Sequence, residues 1–400
     1  MKRKLLFIAP SSIPTFGAEA IVNKKLLTAL AKSDKFEIDL VSQNIPYNHY
    51  PSEGNDIKLK SIHIIDNDLT LNLRTIWEHI LAFFKFGITF KTAHWAVRAL
   101  PIVDKLVQEN NYDYVVTKDA PSFVIGAYLK KKYGIKWVAT WNDPYPVVKY
   151  PMPYGRGFNA KGNIFDKMCI SVMQNADVHI FPSERIKNYM LKYLNKVSEN
   201  KTIIIPHVVL NTIVNDKYND STFKILHSGT LQRPRNPQTF LKALNKFKVD
   251  YPDSKIEVDI LGILEAEDIK LINDLNMQDY VRFIPAVSYK QSLEILSYYH
   301  VALIIEANCE EGIFLPTKVT DFMQYKKSIF AISPKVGVLN DLYRKEAISY
   351  FADVNDTIAI YEELKRVYAD FSSKKISDVK SDVLYSFSEE AIVDQYYNLL

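Results

Sequence analysis

The stretch Asn308-Cys-Glu-Glu-Gly-Ile-Phe-Leu-Pro-Thr-Lys-Val-Thr-Asp-Phe-Met323 concentrates groups that can hold a polar ligand. Gly312 opens a loop that can present backbone amides, and Pro316 suits the first turn of a helix. Lys318 and Asp321 then fall three apart on one helical face. A carboxylate in that position can accept hydrogen bonds from a ribose diol; the plainer reading is an exposed ion pair. A second stretch, His227-Ser-Gly-Thr-Leu-Gln-Arg-Pro-Arg-Asn-Pro237, runs from a strand end towards a helix. Gly229, followed by Thr230, lets a ligand approach the backbone. Arg233 and Arg235 carry the guanidinium groups that suit a diphosphate, unless they are simply solvated surface arginines. A third, Pro10-Ser-Ser-Ile-Pro-Thr-Phe-Gly-Ala-Glu19, has one glycine and no G-x-G-x-x-G, so it is no dinucleotide fingerprint. Gly17, with Ala18 and Glu19, still leaves amides approachable at a helix start. Two cysteines, Cys169 and Cys309, cannot build a thiolate zinc site, and the eight histidines show no metal-ligand spacing. No metal and no cofactor are expected.

These loops need strands and helices to position them, and the chain supplies both in alternation. Strand-like runs are Leu5–Ala9, Ile38–Ser42, Tyr114–Thr117, Trp137–Trp141, Val178–Phe181 and Ile203–Ile205, then Lys224–His227, Glu257–Leu261, Val281–Ile284, Ala302–Ile305 and Ser328–Ile332. Several are apolar throughout, as expected of parallel strands covered on both faces. Helical patterns such as Ala20–Ala31, Pro237–Phe247 and Tyr289–Tyr298 lie between them. The fold class is therefore α/β, with two Rossmann-like, doubly wound parallel-sheet domains facing a central cleft. The polar segment Asn211–Thr222 interrupts the alternation, which places domains at 1–210 and 211–385. A final amphipathic helix, 386–400, opens with a Ser386-x-x-Glu389 box and is expected to rejoin the first domain.

The stretches IAPSSIPTFGAE, WVATWNDPYP, NADVHIFPSE, TIIIPHVV, ILHSGTLQRPRNPQTFLKAL and LPTKVTDFMQYKKSIFAIS occur in an order that resembles the GT-B glycosyltransferases, and within them the retaining enzymes of glycosyltransferase family four. That resemblance implies a nucleotide-diphosphate sugar as donor, handled by the second domain. Gly229, Thr230, Arg233 and Arg235 fall where the family handles the diphosphate, although the family's Arg directly after the glycine is here Thr230. Asp321 matches the second acid of the family's Glu-x7-Glu motif. The first falls on Ile313, leaving Glu310 or Glu311 to reach the same space; Gly312, Phe314, Leu315 and Lys318 complete the loop. RFIPAV, ending in Val287, matches the loop flanking the base. On the acceptor side, where relatives carry a histidine, this chain has Lys118 and Asp119, and Asp143 resembles an Asp-Pro motif of some members. Either aspartate could orient or deprotonate an acceptor hydroxyl; for Asp143 an Asx-turn before Pro144 is the structural alternative. The implied reaction is glycosyl transfer with retention to a saccharide or lipid-linked saccharide, in surface-polysaccharide assembly. A sugar-nucleotide epimerase and a non-catalytic glycan- or partner-binding subunit use the same scaffold.

Composition narrows the setting. Four hundred residues, 48% hydrophobic and 24% charged, suit two folded domains rather than a disordered chain. LLFIAP near the start is too short for a leader and reads as a strand. The scarcity of cysteine fits a reducing, cytoplasmic location. Residues 1–200 carry 27 Lys/Arg against 18 Asp/Glu, whereas 201–400 carry 23 against 28. A basic first half suits an anionic surface; nothing suggests nucleic acid. Residues 69–100, with two tryptophans and four phenylalanines among Arg74, Lys85, Lys91 and Arg98, read as helices at the inner face of a membrane or as helices packed on the sheet.

Overall fold

A computed structural model describes residues 2–15, 17–44, 57–67, 70–118, 120–211, 213, 216–218, 221–376 and 381–399. The chain divides into two compact units. One comprises Met1–Tyr150, Gly155–Leu210 and Phe387–Leu400; the other comprises Pro151–Tyr154 and Asn211–Ser386.

The first unit contains β1 (Arg3–Ile8), α1 (Gly17–Lys32), β2 (Phe36–Asn44), β3 (Ser61–Asp66), α2 (Leu73–Phe86), α3 (Ala93–Glu109), β4 (Tyr114–Lys118), α4 (Ala120–Tyr133), β5 (Trp137–Thr140), α5 (Ile164–Met173), β6 (Val178–Phe181), α6 (Glu184–Leu191) and β7 (Thr202–Ile204). Its parallel sheet runs β3-β2-β1-β4-β5-β6-β7. The second unit contains β8 (Phe223–Leu231), α7 (Gln238–Asp250), β9 (Ile256–Leu264), α8 (Ala266–Asp274), β10 (Val281–Pro285), α9 (Tyr289–Leu296), β11 (Val301–Ile305), α10 (Thr317–Gln324), β12 (Ser328–Ser333), α11 (Val338–Arg344), β13 (Tyr350–Asp353), α12 (Thr357–Ser372) and α13 (Ser381–Tyr385). Its parallel sheet runs β10-β9-β8-β11-β12-β13. α14 (Glu389–Tyr397) packs on α1 in the first unit. Both sheets are parallel and doubly wound, as the run of apolar strands predicts.

The central strands earn this arrangement by sequence. RKLLFI and VALII are buried along nearly their whole length, so helices must cover both faces. In the first unit Leu5, Phe7, Leu27 and Val116 share a core with Ile392 and Tyr396 of α14. In the second, Ile225, Phe240, Leu303 and Leu364 meet. Two strands were not foreseen. β3 (SIHIID) is a sheet-edge strand with a half-exposed, mixed face, and β13 (YFAD) has only four residues. The last helix starts later than its predicted cap. Ser388, not Ser386, accepts from the Ala391 amide at 3.2 Å, while Ser386 donates to the Val383 carbonyl.

Candidate functional site

In the second unit the winding reverses between β8 and β11, and ligands of open α/β sheets bind beyond the strand ends at such a point. β8 pairs with β11 only over Ile225–His227 but with β9 as far as Leu231. Residues 228–231 therefore overhang β11 and leave a crevice on that side. The strand reaches further than the predicted end at His227, so Gly229 and exposed Thr230 lie within it.

Gly229 (φ 128°) sits opposite Gly262 of β9 (φ 135°). A Cβ at Gly229 would lie 2.1 Å from Lys318 Nζ, and one at Gly262 would lie 2.3 Å from the Gly229 carbonyl oxygen. The two bare backbones thus open room for the Lys318 side chain to lie across Gly229. Lys318 comes from the first turn of α10, which Pro316 leads as predicted. Among the described residues its ammonium makes no hydrogen bond and no ion pair. Burial, helped by the Arg235 guanidinium, lowers it from the ordinary 10.5 to about 8, against the pull of Glu306 and Asp321. A cation held there at a desolvation cost, with no hydrogen bond or ion pair among the described residues, is suited to an anionic ligand.

Arg235 stands beside it. Its Nε is 3.5 Å from Glu306 Oε1, and its guanidinium lies 5.7 Å from the Tyr154 ring centre. The Tyr154 hydroxyl donates to Glu306 Oε2 at 3.1 Å, and its ring meets Phe314 edge-on at 5.3 Å. Burial, with Glu306 adding to it, raises the Tyr154 phenol above its usual range, which keeps it a donor. Lys318 and Arg235 thus bring two cations to the crevice, with Glu306 and Asp321 as the carboxylates nearby.

Arg233 is placed differently. Its guanidinium reaches Asp268 at 3.1 Å and Glu267 at 3.1 Å, and its amide donates to Glu265 Oε1 at 2.7 Å. Asp268 is fully buried. Three carboxylates occupy this arginine, so it ties the β8–α7 loop to α8 instead of standing with Lys318. Arg233→Ala is expected to lower stability by about 1–2 kcal/mol, since one buried carboxylate loses its partner while the arginine itself is partly solvated. Arg235→Ala should leave stability nearly unchanged and weaken binding of a nucleoside diphosphate about tenfold or more. Melting curves and titration calorimetry on the two variants check this division.

The 308–316 loop also departs from expectation. Its Gly312 amide is not open, because it donates to the Val336 carbonyl at 2.9 Å while the Gly312 carbonyl accepts from the Val338 amide at 2.8 Å. Ile313 and Leu315 are buried in the unit, Phe314 turns to Tyr154, and Glu311 is half-buried. Asp321, almost buried, accepts from the Tyr289 hydroxyl at 2.6 Å. Tyr289 begins α9, whose cap Ser288 follows half-buried Val287. The residues that the sequence reading missed are Glu306, Tyr154, Tyr289 and Gly262. Glu306 directly follows the apolar strand VALII, a position that could have singled it out; the other three carry no local signal.

In the first unit, Gly17 (φ 75°) opens α1 with Ala18 and Glu19. Glu19 Oε1 accepts from Asn142 Nδ2 at 3.0 Å, just past β5. The next residue, exposed Asp143, accepts a hydrogen bond from the Tyr150 hydroxyl, whose phenol burial and both acids hold above its usual range. The Gly17–Glu19 turn and the Asn-Asp pair are thus brought together at strand ends. Asp119 lies outside the described residues; Lys118 before it is buried and lines a small pocket with Val22, Trp141, Asn142 and His207. Among the described residues no three His, Cys, Asp or Glu side chains are grouped to hold a metal ion, and no helix is long and apolar enough to cross a membrane.

Residues 24–209 match the family described as Glycosyltransferase Family 4. No curated protein matches the sequence. Among solved structures, sucrose-phosphate synthase from Thermosynechococcus elongatus is similar at a TM-score of 0.69 and 16% identity, covering 100% of this chain and 98% of its own. A glycosyltransferase from Rickettsia africae gives 0.64 and 13%, covering 99% and 97%. Anabaena HepE, in complex with UDP, gives 0.61 and 14%, covering 99% and 98%. At such identities these structures speak for the fold. Taken with the two doubly wound parallel sheets, they give the chain the GT-B fold, and its residues 24–209 match Glycosyltransferase Family 4.

Proposed function

We propose that the chain transfers a glycosyl unit from a nucleotide-diphosphate sugar to a saccharide acceptor, free or lipid-linked, with retention at the anomeric carbon, in surface-polysaccharide assembly. The observation that carries the donor half is Lys318: a half-buried ammonium that makes no hydrogen bond or ion pair among the described residues, laid across Gly229 beside Arg235. As the sugar–oxygen bond breaks, the departing diphosphate gains negative charge, which Lys318 and Arg235 would stabilise. Asp321, which accepts from the Tyr289 hydroxyl, would be the acceptor for a ribose diol. Val287 and the start of α9 would flank the base. On the acceptor side Asp143, steadied by Tyr150, would orient the attacking hydroxyl. The Anabaena HepE structure holds UDP, which makes uridine the first base to test.

A thermal-shift panel of UDP, GDP, ADP, CDP and dTDP checks the donor half. At ~100 times its dissociation constant a ligand adds about 2.7 kcal/mol, so the matching diphosphate should raise the melting temperature by several degrees. If none does, the donor assignment fails and a non-catalytic role takes its place.

A further inference from the structure

We propose that the outward face of α2 is a docking surface for an anionic lipid bilayer. This goes beyond the glycosyl-transfer reading and does not depend on it. At 100° per residue, Leu73, Ile76, Trp77, Ile80, Phe83 and Phe84 form one stripe of the helix. All are exposed, Leu73 at 88%, Phe84 at 78% and Trp77 at 59%, and Leu71 just ahead of the helix is exposed at 80%. The opposite stripe, Thr75, Glu78 and Ala82, is the buried one. The usual order is inverted: the polar side faces the protein and the apolar side faces away from it.

The inward side is built to stay. Glu78 is chelated by Arg98, with Nη2 at 2.7 Å and Nε at 2.8 Å, and is also met by Arg74 at 3.0 Å. His79 Nδ1 lies 2.9 Å from the Thr89 hydroxyl. A capping box at Asn72 and a left-handed Gly87 fix both helix ends. α3, which shares the aromatic-basic stretch, packs Trp95, Ala96 and Ala99 wholly inside, so of these two helices α2 is the one that carries the exposed apolar face.

Charge selects the occupant. Between residues 70 and 103 the one carboxylate is Glu78, already bound by two arginines. Arg74, Lys85 and Lys91 are exposed around the stripe. Aromatic and aliphatic side chains flanked by bases, with no exposed acid on the helix itself, match an anionic headgroup layer over an acyl boundary.

The test is co-sedimentation of the full chain with vesicles of phosphatidylcholine, with and without a third phosphatidylglycerol. Trp95, Trp137 and Trp141 are buried, so a vesicle-induced blue shift of tryptophan emission reports Trp77. Expected are binding to the anionic vesicles with a blue shift, and about a tenfold or greater loss in Trp77→Ser with Phe84→Ser and in Lys85→Glu with Lys91→Glu. These positions are exposed, so the variants should melt like the parent, and no nucleotide is needed for the assay. Failure to bind any vesicle at low salt would overturn the proposal. So would equal binding to both vesicle types, or a concentration-dependent dimer that Trp77→Ser dissolves, which would assign the face to a second copy of the chain.

Discussion

Lys318→Met is expected to lose nucleoside-diphosphate binding by about 10–100-fold and, without ligand, to melt higher than the parent. Both effects come from the same charge. A hydrogen-bonded cation on a diphosphate contributes on the order of 1.5–3 kcal/mol, which gives the loss of affinity. The gain in stability follows from the lowered ammonium. Moving a lysine from 10.5 to about 8 corresponds to roughly 3 kcal/mol at 1.36 kcal/mol per pH unit. Partial solvent access reduces that to about 1–2 kcal/mol. The sign follows from proton counting. Between pH 8 and 10.5 the unfolded chain holds this proton more often than the folded one does, so stability rises with pH across that window. Below about 8 both states hold it, and the folded state bears the full cost of the buried charge. The methionine variant should therefore gain most below pH 8 and converge with the parent near 10.5. Affinity of the parent for the diphosphate should run the other way, steady from pH 7 to 8 and falling above it, because the ligand needs the charged ammonium. Scanning calorimetry and titration calorimetry across pH 7–10 read both trends. A variant that loses stability and keeps its affinity would show that Lys318 is structural.

The scaffold was more legible in the chain than the chemistry it holds. Apolar runs such as VALII and SIFAIS identify themselves, because a strand covered on both faces has no room for polar residues. β3 escaped for the opposite reason: at an edge, SIHIID carries His63 and an exposed Ile64 and shows neither a run nor a clean alternation. In the crevice, Gly229, Lys318, Arg235 and Asp321 were all visible as types at strand and helix ends. Their partnerships were not. Arg233 and Arg235 are two residues apart and alike in sequence, yet Glu265, Glu267 and Asp268 of a later segment take one of them. Gly312 looked like an open amide until Val336 and Val338, over twenty residues on, closed around it. Tyr154 enters from a loop about eighty residues ahead of Arg235. Local pattern reports which groups a strand end offers; long-range pairing decides which of them remain available.

Gly262→Ala is expected to be the most destabilising single-methyl change near the site, although Gly262 itself has no assigned contact with a ligand. The position has φ 135°, which side-chain-bearing residues adopt only at about 1–3 kcal/mol. The added Cβ would also sit 2.3 Å from the Gly229 carbonyl oxygen and 2.7 Å from its carbonyl carbon. Those are backbone atoms in the middle of the β8–β9 pairing, which runs from Phe223–Ile256 to Leu231–Leu264. Neither strand can yield without breaking hydrogen bonds on both sides, so a cost of about 3–5 kcal/mol follows, in the range of severe core lesions. The contrast is Gly229→Ala. There the nearest atoms belong to the Lys318 side chain, Nζ at 2.1 Å and Cε at 2.5 Å, and a flexible lysine can swing away. That variant retains the strain of its own φ of 128°, about 1–3 kcal/mol, but its larger effect should be displacement of the ammonium and loss of diphosphate affinity. Denaturant unfolding should therefore rank Gly262→Ala below Gly229→Ala. Titration calorimetry on whatever folded Gly262→Ala remains should find the crevice less altered than in Gly229→Ala. If the ranking reverses, the Gly229–Gly262 crossing is looser than its geometry implies, and the room for Lys318 must come from elsewhere in the β8 overhang.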